Sequence, residues 1–255
     1  LHKAIRRQRQ MCIRDRFRGE QMLYHSERIY GIDISKYQHV HKRRVYGIDW
    51  RNLRITRLGH TADRNALGAV DYPVSFVYIK STEGLTVFNP YYTQDVRAAR
   101  RYGFPVGAYH FFSTRPAMSQ ADYFLKKSRL RKGDLPPMLD VELSDRRIAA
   151  MGGRDVLFRE MLVWLKEVGR RSGTTPIIYV SQDFVNRYMP FAPEELKAYP
   201  VWVARYGEYK PYVHLLYWQL SPDGRVRGIQ GDVDIDVFNG SEEQFKRYLR
   251  AQTVK

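Results

Sequence analysis

From about residue 29 onward the chain alternates short apolar runs with longer amphipathic stretches. Eight runs are rich in Val, Ile, Tyr and Phe and are bounded by Gly, Pro or Ser, which predicts strands. They are "RIYGIDIS" (28–35), "VSFVYIK" (74–80), "PVGAYHFF" (105–112), "PPMLDVE" (136–142), "PIIYVS" (176–181), "VWVARY" (201–206), "LLYWQLS" (215–221) and "VDIDVF" (233–238). Between them lie helical patterns. Residues 89–103 and 119–133 each end in a glycine, a good C-terminal stop. Residues 154–173 carry apolar side chains at 157, 161, 162, 165 and 168, one helical face. A last helix opens at "SEEQF", where Ser241 and Gln244 fit a capping box.

Strand–helix alternation over about 210 residues implies an α/β fold with a parallel sheet and right-handed crossovers. Length and strand number suit a single TIM-like barrel of about eight strands. Beyond residue 200 strands follow one another without long helices, so the barrel is expected to be irregular there. No internal repeat or long linker divides the chain. The expected partition is a basic N-terminal extension (1–28) and one barrel domain (29–255).

Charge changes the picture of partners. The 255 residues carry a net charge of +16, of which residues 1–28 hold 8 Lys/Arg against 3 Asp/Glu. The remaining excess is spread along the chain and fits a polyanionic partner. No zinc-finger, helix-turn-helix or RNP-like signature points to nucleic acid. Nucleic acid, an anionic cell wall and an anionic membrane surface all fit the charge alone. The single cysteine, Cys12, excludes an internal disulfide framework. No run of about 18 apolar residues marks a membrane helix. The segment "LHKAIRRQRQMCIRDRFRGE" is basic but has no apolar core, so it is not a complete signal peptide. Within it "MCIRDR" reads like translated adaptor sequence, and an export signal is expected upstream.

The acids carry the chemistry. In a parallel barrel, active sites form at the C-terminal ends of the strands. Asp33 falls near the end of the first predicted strand, Glu83 after the second, Asp140 and Glu142 at the end of the fourth, and Asp234 and Asp236 in the last. Residues two apart on a strand share a face. Asp140 and Glu142 therefore point the same way, roughly 6.5–7 Å apart at Cα. Facing inward, their crowding and poor solvation raise at least one pKa. A protonated Glu beside an ionised Asp is what glycoside hydrolysis needs. The bland alternative is that each acid is solvated or salt-bridged at a strand end.

Other chemistries fit less well. "DVDID" (232–236) starts like a calcium loop, but Val237 stands where glycine is required and Val233, Ile235 and Val237 alternate as in a strand. The seven His show no H-E-x-x-H spacing, and His110 reads as a packed or hydrogen-bonding residue. No G-x-S-x-G elbow is present. No cofactor and no metal are expected.

Ordered pieces of this chain resemble the glycoside hydrolase family 25 lysozymes, the Chalaropsis-type N-acetylmuramidases. They include "YGIDISKYQ" (30–38), "IDW" (48–50), "FVYIKSTEG" (76–84), "GAYHFF" (107–112), "PMLDVE" (137–142), "VWVARY" (201–206) and "YWQLSPDGRVRGIQGDVDIDVFNG" (217–240). The resemblance implies an irregular, flattened (β/α) barrel. It also implies a peptidoglycan hydrolase that cleaves the β-1,4 bond between N-acetylmuramic acid and N-acetylglucosamine. Glu142 then matches the general acid/base, Asp140 the carboxylate that orients the reacting N-acetyl group, and Asp33 and Asp234 supporting acids. Two departures stand out. "HVHKRRVYGIDW" (39–50) is longer and more basic than the usual turn. Asp236 stands where the family often has Asn, which blurs the choice between Asp234 and Asp236.

The residues alone leave open whether a carboxylate or the substrate's own acetamido group attacks. The resemblance favours substrate assistance with retention of configuration. Tyr109, Trp202, Tyr206 and Trp218 are expected to line the sugar cleft by stacking, with Gln219, Glu83 and Asp236 as polar contacts. Peptidoglycan glycan strands are the expected partner, with no nucleic acid and no integral membrane segment. A monomer, secreted or associated with the cell envelope, is expected. The rival reading is a catalytically inactive barrel that binds wall glycans.

Overall fold

The computed structural model describes residues 28–41, 43–60, 68–204 and 213–255. The expected extension over 1–28, with Cys12, falls almost wholly outside the described residues, as does Tyr206. Eight strands close into a barrel: β1 (Tyr30–Ile34), β2 (Val77–Glu83), β3 (Val106–Phe111), β4 (Met138–Val141), β5 (Ile177–Ser181), β6 (Val201–Ala204), β7 (Leu215–Arg227) and β8 (Val233–Phe238). Each corresponds to one strand expected from the sequence. Neighbours from β1 through β7 pair in parallel. β8 closes the ring antiparallel to both β7 and β1. The all-parallel expectation is therefore corrected at one strand, which arrives by a short turn instead of a helical crossover.

Four longer helices cover the barrel: α1 (Tyr92–Arg101), α2 (Ala117–Ser128), α3 (Arg154–Ser172) and α4 (Glu242–Ala251). α4 opens on the expected capping box of Ser241 and Gln244. α2 ends earlier than the expected stop at Gly133. The Ser128 carbonyl accepts the Tyr92 hydroxyl at 2.8 Å, and Arg129 turns left-handed at φ 46. Between β1 and β2 short strands replace a helix. Arg54–Arg57 and Ala69–Pro73 form a ribbon that pairs with the far end of β7.

Period-2 alternation sorts the strand residues into two layers. The outward layer is aliphatic, with Val77, Ile79, Leu139, Val141, Ile178, Val180 and Val203 packed in one cluster with Val96 of α1, Phe124 of α2 and Met161 and Trp164 of α3. The inward layer is aromatic: Phe76, Tyr78, Tyr179, Trp202, Tyr217 and Phe238, joined by Phe245 of α4. Trp202 packs edge-on to Tyr78 at 5.0 Å and tilted to Tyr217 at 4.8 Å. Such rings fill a narrow barrel only where backbone replaces side chain. Gly31 and Gly107 supply that space, because a Cβ at either would overlap the rings of Phe76 and Tyr78.

Candidate active site

The plug of rings ends below the C-terminal ends of the parallel strands, and there the inward layer turns acidic. Asp33 sits on β1, opposite Asp234 of β8 in register. Asp140 on β4 lies between Phe111 of β3 and Tyr179 of β5. Glu142 follows one residue past β4 and is exposed at the rim, whereas Asp140 and Asp33 are buried. Asp234 is half-buried.

The acids converge. The hydroxyls of both Tyr109 and Tyr179 are held well above the usual range, first by burial and then by the same four carboxylates, Asp33, Asp140, Asp234 and Glu142. Those acids therefore share one site. Burial pushes Asp33 up to about 7, reinforced by Glu142 and opposed by hydrogen bonds from Tyr109 and Gln219. Asp234 is pushed up to about 9 by burial, Asp33 and Glu142. Asp140 is raised by burial, then by Glu142 and Asp33. Glu142, although exposed at the rim, is raised chiefly by desolvation, and Lys80 opposes this. Like charges crowded in a poorly solvated mouth cannot all ionise, so the cluster holds protons near neutral pH.

A hydrogen-bond chain fixes part of this set. Tyr179 donates to Gln219 Oε1 at 3.1 Å, and Gln219 and Tyr109 both bond Asp33. Asp140 Oδ1 is buried without a hydrogen-bond partner among the described residues. Lys80 brings a cation to the same mouth: its Nζ lies 2.7 Å from Glu83 and 4.4 Å from the centre of the Phe111 ring.

Several expected contacts lie elsewhere. Trp202 is 0% exposed and belongs to the aromatic plug, so it cannot line a cleft. Trp218 faces the opposite way on β7, in the outer cluster, with the Arg28 guanidinium 5.0 Å from its ring centre. Asp236 is also 0% exposed; it pairs in register with Gly31, one step deeper than Asp234, and touches no cleft. Tyr109, Gln219 and Glu83 are at the acid mouth. Sequence reasoning missed Tyr179 and Lys80. Alternation with Tyr78 turns Lys80 inward, but only strand pairing sets it and Tyr179, opposite Asp140, beside the acids.

His110 is buried between Thr82 at 2.8 Å and Gln120 at 3.1 Å, stacked on Trp164, and burial lowers it to about 4. It is a neutral packing residue. Residues 233–238 form a strand, as their alternation required. Among the described residues no group of three or more His, Cys, Asp or Glu is placed to hold a metal ion. The basic stretch after β1 forms a small ribbon, Val40–His41 with Arg44–Val45. Its first residue, His39, bonds Asp95 of α1 at 2.7 Å.

Comparison with known proteins shows the family and the fold. The family model described as glycosyl hydrolases family 25 matches residues 32–229. The uncharacterized protein YegX of Escherichia coli strain K12 is 33% identical over 225 residues, covering 87% of this chain and 73% of that protein. Lysozyme M1 of Streptomyces globisporus is 29% identical over 229 residues, covering 84% of this chain and 68% of that protein. The crystal structure of the bacterial lysozyme from Streptomyces coelicolor superposes with a TM-score of 0.67 at 26% identity, covering 85% of this chain and 94% of that one.

Proposed function

The chain belongs to glycoside hydrolase family 25, and from that premise we propose that it is a muramidase whose working acid is Glu142. The observation that carries the reading is the register that sets Asp33 opposite Asp234 and Asp140 opposite Tyr179, with Glu142 exposed just past Asp140 at the same end of the barrel. The substrate is the glycan strand of peptidoglycan, cut between N-acetylmuramic acid and N-acetylglucosamine.

Each acid has a role that its surroundings support. Glu142 stands at the rim, where a glycosidic oxygen can reach it, and its raised pKa keeps a proton available to the leaving group. Asp140 is buried beside it with an unpartnered Oδ1, a fit for the N–H of the substrate's acetamido group. With that group held, its carbonyl oxygen attacks the anomeric carbon, and the leaving oxygen takes the Glu142 proton. Glu142 then accepts a proton from water as the water opens the cyclic intermediate, and configuration is retained. Substrate assistance of this kind is one of the exceptions to the two-carboxylate scheme. Asp33, held by Tyr109 and Gln219, and Asp234 flank the pair. Lys80 limits how far the pKa values of Asp140 and Glu142 rise.

The barrel works as one domain from about residue 29, with 1–28 dispensable for turnover, and it acts at the cell envelope as a monomer. Among the described residues no helix is long and apolar enough to cross a membrane. A glycan-binding barrel without activity is the second reading. It gives no reason for an acid mouth in which protons are shared, so the hydrolase reading is preferred. Mass spectrometry of products from purified peptidoglycan tests the proposal. Soluble fragments with N-acetylmuramic acid at the reducing end are expected. Reducing-end N-acetylglucosamine, or no soluble product, would overturn it. Proton NMR of the first-formed anomer tests retention.

A further inference from the structure

The helices return opposite to the strands, so α1, α2 and α3 end at the face of the barrel away from the acids. That face is strongly basic. At this end residues 100–103 and 126–133 hold seven Lys/Arg and no acid, while α4, which follows the descending β8, opens here on Glu242 and Glu243. Arg101 ends α1, and Arg129, Arg131 and Lys132 fill the loop after α2; all four are exposed. None of the four has an ion pair among the described residues.

Hydrogen bonds join these pieces into one surface. Asp134 is buried and already occupied by the Arg100 fork, at 2.9 and 2.5 Å, and by the Arg131 backbone N–H at 2.7 Å. It leaves the exposed cations uncompensated. Gly133 N–H donates to the Val254 carbonyl at 2.9 Å, and Val254 N–H to the Asp134 carbonyl at 2.9 Å. The chain after α4 is thereby stitched to the loop. Beyond it lies a groove of about 670 Å³ between the C-terminal half of α3, Thr174 and Gln252. Cations at helix C-termini commonly offset the helix dipole. That accounts for Arg101, but Arg129, Arg131 and Lys132 lie past the end of α2.

We propose that this basal surface docks the enzyme on the phosphodiester polymers of a cell wall, while the acid mouth at the other end faces the glycan. The inference rests on the muramidase reading. The cations come from two separate elements, the end of α1 and the loop after α2, and none shares a carboxylate with another among the described residues, which fits a chain of repeated phosphates better than a single small anion. The mouth itself is lined with carboxylates and repels such a polymer, so the two ends divide the work. Docking at the base confines the enzyme near its substrate and raises its effective concentration there.

Sedimentation with purified walls tests this, using walls that carry phosphodiester polymers and the same walls stripped of them by hydrofluoric acid. Wild type is expected to bind the first much better, with affinity falling on the order of tenfold between 50 and 200 mM salt for about three phosphate contacts. A triple variant, Arg129→Ser, Arg131→Ser and Lys132→Ser, should bind both walls alike while cleaving soluble glycan fragments at the wild-type rate. Arg101→Glu, on a separate helix, should weaken wall binding in the same direction. Equal binding of wild type to both walls would overturn the proposal, as would wild-type binding by both variants. Tighter binding to duplex DNA or to phosphatidylglycerol vesicles than to polymer-bearing walls would do the same. If instead wild type binds walls but releases no muropeptides, the muramidase reading fails and the docking surface stands.

Discussion

Asp140 and Glu142, on and just past β4, and Asp234 and Asp236 on β8 are pairs with the same spacing on strands that run in opposite directions. On β4, parallel to β1, the second acid climbs to the exposed rim. On β8, antiparallel to β1, the second acid descends into the plug beside Gly31, within reach of the Trp202 indole and the Asp33 backbone. Strand direction thus decides which acid of each pair is exposed at the mouth. The first pair divides into a buried carboxylate and an exposed one, which the proposed mechanism uses as orienting group and proton donor. The second divides into a carboxylate level with Asp33 and one sealed in the core.

The sharpest way to break the comparison is at the rim. Glu142→Gln is expected to lower turnover by about 10³-fold, within the range for general acid–base catalysis, with melting temperature unchanged. Asp140→Asn should cost about 10²-fold, and a KM close to wild type would locate the loss in the chemical step. Beneath them, Trp202→Ala is expected to destabilise the fold by about 3–5 kcal/mol in urea unfolding, because it empties the plug. A cleft-lining role would instead raise KM and leave stability alone.

Acidity sharpens the comparison further. The acid cluster must keep protons to work, and Asp33 is raised to about 7. Activity should therefore fall as pH rises from about 6 to 9, seen in initial rates on suspended walls. Asp236 is held protonated by burial, then by Asp33 and Asp234. A carboxyl raised in the folded state stabilises fully below its unfolded value near 4 and loses that contribution as pH rises. Asp236→Asn should then raise the melting temperature by a few degrees at pH 8, with the gain vanishing near pH 4. Activity at pH 6 should stay within a few-fold of wild type.

All eight strands were legible from short β-rich runs, because strands buried on both faces read as continuous apolar segments. Asp33, Asp140, Glu142 and Asp234 were legible as acids near strand ends. The direction of β8 was not, since a period of two is the same read either way, and so Asp234 and Asp236 stayed unresolved. Trp202 and Trp218 were chosen as aromatics, without regard to face. Their positions 16 residues apart on neighbouring strands say nothing of which way each points until register is known. Tyr179 and Lys80 became visible only when pairing placed them beside the acids.

The most direct measurement compares the rates of muropeptide release by Glu142→Gln and Asp236→Asn from the same wall preparation at pH 6. Loss of about 10³-fold in the first with near wild-type release in the second is the predicted result. Comparable losses in both, or an active Glu142→Gln enzyme, would contradict the assignment of the working acid to the rim of β4.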